Sequence, residues 1–425
     1  MQADRDSMKN ALLGLGCRDA YPRALSSFDP GNISVGCIGT HGTYQAAAAA
    51  ASVNLLDRFY CTLLDAPGCM GGTLSKWIGH DRLASRRQTG IPPALTTENP
   101  WPFLRERVNH ALRLSGPDGW FRACVAFDGW LARQLRSSPS RVFYGVETCS
   151  ELSIAEAKRR GMRCVVECPG VQPGFMARIL GQDSGQPPRA YLASPMTGRK
   201  LRTHALADVL VTQSEFQTST YLAAGFPREK ILECPTGIEP TLFHTEDRPP
   251  VGSRPGPLRA LYAGRVTRMK GIPWLLSAMK ACGGAVSLTV VGSVEPGARP
   301  LLARLPANVT VLPAVSKPEL RRIYQQHDLL VLPSLVDSAP TVVMEAMACG
   351  LPVILTDHCG GRIPDPSWRI PIRDSAAIAE RLMRYADNRI LLASDSERAL
   401  DFSQSLHAND FRRRLSEAFQ SWCSQ

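Results

Sequence analysis

Short β-branched and apolar runs alternate with longer stretches of helical periodicity along most of this chain. The runs Ile33–Ile38, Ala123–Phe127, Val142–Val146, Cys164–Val166 and Val209–Thr212 predict strands in the first half, with a helix over Ser150–Arg160. After a Pro-, Gly- and charge-rich segment at 243–257 the rhythm restarts. Strands are expected at Leu258–Ala263, Ser287–Val291, Val309–Leu312, Leu329–Leu332 and Pro352–Leu355. Helices are expected at Gly271–Ala281, Lys317–Gln326 and Thr341–Ala348. Strands bounded by turn residues and separated by amphipathic helices specify parallel sheets covered on both faces. The expectation is an α/β protein of two Rossmann-like, doubly wound domains facing a central cleft. Residues 1–242 form the first, 243–257 the linker and 258–425 the second, whose final helix is free to pack back on the first. A chain of 425 residues accommodates two such domains.

Composition narrows the class. Hydrophobic residues are 44% and charged residues 20% of the chain, as in ordinary globular proteins. The longest apolar run near the start, Gln45–Leu56 around six alanines, is too short to span a bilayer, which takes about 20 residues. The opening MQADRDSMKN lacks a basic head followed by an apolar stretch, so no secretory signal is expected. Thirteen cysteines without framework spacing suggest reduced thiols and a cytoplasmic protein. Cys164 and Cys168 have no matching Cys/His pair, which argues against zinc. The net charge of +11 favours phosphates, on a nucleotide or on the inner face of an anionic membrane. Basic groups at Arg82, Arg86 and Arg87, at Lys158–Arg160, and at Arg199, Lys200 and Arg202 are expected on a solvated surface. No nucleic-acid-binding motif accompanies them.

The richest stretch is PSLVDSAPTVVMEAMACGLPVI, from Pro333 to Ile354. A strand ends at Pro333-Ser334, a loop carries Asp337, Ser338 is placed to cap a helix, and Pro340 fits its first turn. A helix N-terminus at the C-terminal edge of a parallel sheet offers free amides and a positive dipole end to phosphate. Glu345, between Val343, Met344, Ala346 and Met347, is expected to be buried and therefore to need partners. A carboxylate there can accept hydrogen bonds from a ribose diol, and one at Asp337 can bind sugar hydroxyls. In LYAGRVTRMKGIPWLLSAMK a strand runs into Gly264-Arg265, and Lys270-Gly271 open the next helix. Arg can fork onto a diphosphate and Lys adds a point charge.

These residues resemble the retaining glycosyltransferases of the GT-B fold, in particular family 4 (glycosyl transferases group 1). That family has a Gly-Arg…Lys-Gly element and two acidic residues eight apart beside an EAMACGLPVI-like run. Here the matches are Arg265, Lys270, Asp337 and Glu345, with Asp in place of the family's usual first Glu. The segment 214–243, ending in Gly237, Ile238, Glu239 and Phe243, resembles the family's domain junction. The resemblance covers residues 205–395 well and is thin before them.

It implies transfer of a sugar from a nucleoside-diphosphate sugar, UDP- or GDP-linked, to an acceptor hydroxyl with retention and without a metal or other cofactor. Arg265 and Lys270 would neutralise the leaving diphosphate and Asp337 would contact the transferred sugar. Gly264 and the backbone of Ser338, Ala339, Pro340 and Thr341 would line the donor pocket. Glu345 would hold the ribose. Gly42, in the loop Gly39-Thr40-His41-Gly42-Thr43, would let the first domain approach the donor. Family members commonly place a histidine after a strand of the first domain. Here Cys164–Val166 is followed by Glu167-Cys168-Pro169-Gly170-Val171-Gln172, without histidine, which leaves His41 and Gln172 as candidates on the acceptor side. The acceptor would be a saccharide, a lipid-linked sugar or a small molecule. A nucleotide-sugar epimerase and a non-catalytic nucleotide-sugar-binding protein stay open as alternatives. An NAD-dependent dehydrogenase does not fit, because neither half has a complete GxGxxG with a following acid in register.

Overall fold

The computed structural model describes residues 31–39, 42–78, 83, 86–112, 116, 118–184, 187–238, 242–245 and 255–424. His41 and Glu239, the first thirty residues and most of the 243–257 segment lie outside them.

The first sheet has seven parallel strands, β1 (Ile33–Cys37), β2 (Leu56–Cys61), β3 (Thr96–Glu98), β4 (Val142–Val146), β5 (Arg163–Glu167), β6 (Val209–Thr212) and β7 (Ile231–Glu233). Their order is β3-β2-β1-β4-β5-β6-β7. The helices between them are α1 (Thr43–Ser52), α2 (Met70–Ile78), α3 (Trp101–Ala111), α4 (Gly119–Leu135), α5 (Glu151–Arg159), α6 (Pro173–Ser184), α7 (Pro188–Leu192), α8 (Pro195–Leu206) and α9 (Glu215–Leu222). The second sheet has six parallel strands, β8 (Leu258–Ala263), β9 (Val286–Val291), β10 (Val309–Leu312), β11 (Leu329–Leu332), β12 (Val353–Thr356) and β13 (Arg369–Ile370), in the order β10-β9-β8-β11-β12-β13. Its helices are α10 (Ile272–Cys282), α11 (Lys317–Gln326), α12 (Thr341–Ala348), α13 (Ser375–Asp387) and α14 (Arg389–Ser403), and α15 (Ala408–Ser424) ends the chain. Both sheets change direction of strand progression beside their first strand. In open α/β sheets ligands bind at such a switch point, beyond the carboxyl ends of the strands.

The central strands read as continuous apolar runs because helices cover them on both sides. All five residues of β1 and of β4 are buried. The six-alanine helix α1 is squeezed between this sheet and α15. Phe411, Leu415 and Phe419 of α15 join the core formed by Tyr44, Phe59 and Ala46–Ala50. Alanine leaves the room for that approach, and Ser416 Oγ donates to the Ala49 carbonyl at 3.1 Å.

Three expectations change. Ala123–Phe127 is not a strand but the middle of α4. Ala123, Cys124, Phe127, Leu131 and Leu135 are buried at helical spacing, and the short apolar run disguised that longer period. Phe243, at the start of the expected linker, is not solvated. It is buried in the second core, edge-on to Tyr324 with ring centroids 6.0 Å apart. The basic groups are not all solvated. Arg86 donates to Thr62 Oγ1, Arg199 pairs with Asp128 and Glu151, and Lys200 lies 2.6 Å from Glu147. Their charge is consumed internally.

Candidate functional site

The predicted residues of the second domain emerge from the two strands that flank its switch point. β8 ends at Ala263 and passes into Gly264-Arg265, while β11 ends at Leu332 and passes into the loop carrying Asp337. The Lys270 ammonium is ion-paired with Asp337, both partly buried. Gly271 makes this approach feasible. Its φ is +78°, and a Cβ there would lie 1.8 Å from the Pro333 carbonyl oxygen. Asp337 is held by its backbone, which accepts from the Gly360 amide at 2.7 Å and donates to the His358 carbonyl at 3.0 Å. Tyr262 sits between Asp337 and Arg265. Its hydroxyl donates to the Arg265 carbonyl at 2.7 Å, and burial, aided by the Asp337 charge, raises its pKa. The Arg265 side chain is itself exposed and pairs with Glu295 at 3.1 Å.

Glu345 is buried, as its apolar neighbours require. Its partners come from α11. Lys317 Nζ lies 3.0 Å from Oε1 and the Tyr324 hydroxyl 3.3 Å from Oε2. Lys317 and Tyr324 are seven residues apart, two turns along one helix face. That spacing was the available signal for partners that sequence reading missed. Phe243 closes this group, with the Lys317 ammonium 5.6 Å from its ring centre. The helix carrying Glu345 does not begin with a Ser338 cap. Pro340 occupies the cap position and offers no side-chain cap to the amides of Thr341 and Val342. They point out of the helix, as anion-binding helix termini do. The Ser338 carbonyl instead accepts from Ser214 Oγ of the first domain at 2.5 Å. Beside it Val171 and Ile179 pack on Leu335 and Val336, and His358 stacks on Phe216 at 5.7 Å. The two domains therefore touch beside the Asp337 loop.

In the first domain the candidate residues Gly42 and Gln172 have internal neighbours. Gly42 is needed for an internal reason, since a Cβ there would meet Glu167 Oε1 at 2.7 Å and Phe411 at 3.1 Å. Gln172 is occupied as a helix cap, its Oε1 accepting from the Phe175 amide at 3.0 Å. The residue that reading by motif missed is Glu167, at the end of β5. It is fully buried and accepts from Thr43 Oγ1 at 2.9 Å, Tyr144 at 3.4 Å and Gln213 Nε2 at 3.3 Å. Burial drives its pKa up to about 7, against the hydrogen bonds from Thr43, the Gly42 amide and Tyr144.

Next to it, Glu147, Cys168 and His204 bring three metal-ligand atoms within 4.8 Å of one another. Their charges are met internally. His204 Nε2 is 2.8 Å from Glu147 Oε2, and Lys200 holds the other oxygen. Burial alone would raise the Glu147 pKa, but Lys200 and His204 outweigh it and keep the carboxylate charged. Cys164 is not part of this group; its thiol faces the Ile154 and Met162 carbonyls. None of the twelve cysteines among the described residues is in a disulfide.

Residues 257–388 match the family model for glycosyl transferases group 1. This segment contains both lysine–carboxylate pairs. The amylovoran biosynthesis glycosyltransferase AmsK of Erwinia amylovora is 29% identical over 229 residues, 48% of this chain and 55% of that protein. The match thus spans about half the length of that curated relative. Over nearly the whole chain the likeness is one of fold. Sucrose-phosphate synthase from Thermosynechococcus elongatus superposes with a TM-score of 0.60 at 17% identity, covering 92% of this chain and 99% of that one. Anabaena HepE in complex with UDP superposes with a TM-score of 0.60 at 14% identity, covering 92% and 100%. The chain has the GT-B architecture and is similar to the glycosyl transferases of group 1.

Proposed function

We propose that this protein is a retaining glycosyltransferase that moves a sugar from a UDP- or GDP-sugar to an acceptor hydroxyl, without a metal. The observation that carries the reading is the pairing of two carboxylates with two lysines beside the switch point, Lys270 with Asp337 and Lys317 with Glu345. Each pair can exchange an internal contact for one to the ligand. Lys270 turns from Asp337 to the diphosphate, which frees the Asp337 carboxylate for sugar hydroxyls. Glu345 turns one oxygen to the ribose diol while the Tyr324 hydroxyl keeps hold of the other.

Arg265 leaves its exposed pairing with Glu295 and closes on the diphosphate. As the glycosidic bond breaks, negative charge grows on the leaving phosphate. Once the donor is bound, Lys270, Arg265 and the first turn of α12 oppose that charge, and electrostatic stabilisation of this kind is the usual source of the largest rate contribution. Three protein positives then do the work that a metal would otherwise do. Gln172 carries a neutral amide, which cannot act as a base, and its Oε1 accepts from the Phe175 amide. In this reading the departing phosphate accepts the acceptor's proton, on the same face as the leaving group, and the anomeric configuration is kept. HepE, a protein of the same fold, binds UDP, which makes UDP-sugars the first donors to try. The curated relative's role in polysaccharide biosynthesis favours a saccharide acceptor.

The test is incubation with UDP- and GDP-sugars, following nucleotide release and the anomeric proton of the product by NMR, with and without EDTA. Nucleoside diphosphate released with an unchanged anomer, insensitive to EDTA, supports the reading. An epimerised donor without release would make the protein an epimerase. Binding without turnover across an acceptor panel would make it a nucleotide-sugar-binding protein.

A further inference from the structure

Asp337 lies between β11 and α12, in neither a strand nor a helix. A carboxylate on such a stretch is only as well placed as the contacts that hold its backbone. One contact is on the Lys270 side, where the Leu335 amide donates to the Met269 carbonyl at 2.8 Å. Two more come from the turn after β12. The Asp337 amide donates to the His358 carbonyl at 3.0 Å, and the Asp337 carbonyl accepts from the Gly360 amide at 2.7 Å. Asp337 and Cys359 thereby form a single parallel bridge. The fit is close, since a Cβ on Gly360 would lie 1.8 Å from the Ser338 carbonyl oxygen and 2.2 Å from Ser214 Oγ of the first domain.

His358 carries its side chain the other way. Its ring stacks on Phe216 of α9, with 20° between the planes and 5.7 Å between centroids. It stands edge-on to Phe175 of α6 at 5.1 Å, and the two phenylalanines meet each other at 5.6 Å. Both belong to the first domain, so rings from two domains close on one another in the geometries that aromatic pairs prefer. His358 Nδ1 lies 3.1 Å from the Leu335 carbonyl, and because a carbonyl only accepts, Nδ1 carries the proton and donates it to the Asp337 loop. One residue therefore touches the first domain with its ring, and the Asp337 loop with its ring nitrogen and its backbone. The same interface is held further along by Arg373, which donates to the Ile179 carbonyl at 2.9 Å and to Gln182 Oε1 at 3.2 Å. Arg373 has a φ of +61°, which residues other than glycine adopt where their surroundings impose it. The contact between the domains is thus specified through Ser214, His358 and Arg373.

We propose that His358 is a positioning residue that makes the placement of the Asp337 carboxylate depend on how the first domain is seated. While the first domain packs on it, the ring fixes the turn at 358–360, and the turn fixes Asp337. When the first domain withdraws, the ring loses both phenylalanines and the bridge to Asp337 loosens. The chemical consequence rests on the reading of Asp337 as the group that meets the sugar. The sugar is then fully engaged only while the domains are together, which keeps it from water until the acceptor side is in place. The coupling itself needs no such reading.

The full chain is compared with Phe216→Ala, His358→Ala and His358→Phe by hydrogen exchange read by mass spectrometry, which requires neither donor nor turnover. Phe216→Ala alters only the first domain's side of the contact. In it and in His358→Ala, the peptide containing the Asp337 amide should exchange about tenfold faster, while peptides of β8 and β9 keep their protection. His358→Phe keeps a stacking ring and should restore most of the protection at Asp337. Phe216→Ala combined with His358→Ala should be no worse than either alone, because both act through one contact. With a UDP- or GDP-sugar that the parent turns over, the two alanine variants should lower kcat about tenfold and leave the donor KM near the parent's, as for a misplaced group rather than a lost binding contact. Unchanged exchange at Asp337 in Phe216→Ala would overturn the proposal. So would protection lost across the whole second domain, an additive double variant, or a His358→Phe protein as disturbed as His358→Ala. Faster exchange at Asp337 with kcat unchanged would leave the coupling standing and remove Asp337 from the reaction instead.

Discussion

The two domains share strand order but use the carboxylates at their cleft edges in opposite ways. In the second domain Asp337 and Glu345 each face a lysine that keeps contact with solvent, with Lys270 partly and Lys317 largely exposed. In the first domain Glu147 and Glu167 are fully buried at the ends of β4 and β5. Glu147 is locked by Lys200 and His204. Glu167 faces hydroxyls and amides and is kept partly protonated at neutral pH. A solvent-facing pair can trade its partner for a ligand, whereas a buried one cannot without exposing a charge to low dielectric. Under the proposed function the same residue types thus serve recognition in one domain, whereas in the other they face only internal partners.

The sharpest test of that contrast is Lys270→Ala. If the lysine opposes charge on the leaving diphosphate, kcat falls by about 10²–10³-fold. A change confined to KM would show that it only binds the ground state. On the other side, Lys200→Met should leave donor binding alone and cost about 3 kcal/mol of stability, the lower end for breaking a buried pair. It is read by denaturant unfolding and rescued in part by adding Glu147→Gln. A Lys200→Met protein of unchanged stability would mean that the buried cluster tolerates an unpaired carboxylate.

Glu167 gives a pH signature of definite sign. Its folded pKa is raised above the unfolded value, so its contribution is fully present below about pH 4.5 and is lost as pH rises through 7. Across that window it amounts to as much as about 3 kcal/mol, by the linkage between pKa and stability. Glu167→Gln should flatten this part of the unfolding-temperature profile and make the variant more stable than its parent at pH 8. A parallel pair of profiles would place the titration elsewhere.

Glu345→Gln keeps the shape of the buried side chain but removes its charge. Donor affinity measured by calorimetry should drop about tenfold, as expected for weakening a hydrogen bond to a charged group. Equal affinity would remove the ribose assignment. Arg265→Ala is expected to act least, lowering kcat about tenfold, because an exposed pair is screened and its side chain must be ordered by the ligand. A loss as large as that of Lys270→Ala would mean that the cleft closes over Arg265 during the reaction.

Much of the second domain was readable because its signals are local. Strands buried on both faces appear as unbroken apolar runs, and a glycine beside a lysine or arginine at a strand end marks the edge where ligands gather. The burial of Glu345 could be foretold from its four apolar neighbours alone. What covers it could not, since Lys317, Tyr324 and Phe243 arrive from other elements and only the packing of α11 on α12 brings them together. The same holds for Ser214 on Ser338, for Gly42 against Glu167 and Phe411, and for α4, where a five-residue apolar run concealed a seventeen-residue helix.

The sequence by itself determined the architecture of alternating strand and helix and the positions of the candidate diphosphate and ribose residues, because periodicity and turn chemistry act over a few residues. The tertiary structure decided which charges face water and which face each other. It sent Arg199 and Lys200 inward and turned Trp101 and Leu112 outward. The cost of desolvating a charge, and the gain from hiding an apolar ring, are set by neighbours far away in the chain, which no local pattern encodes.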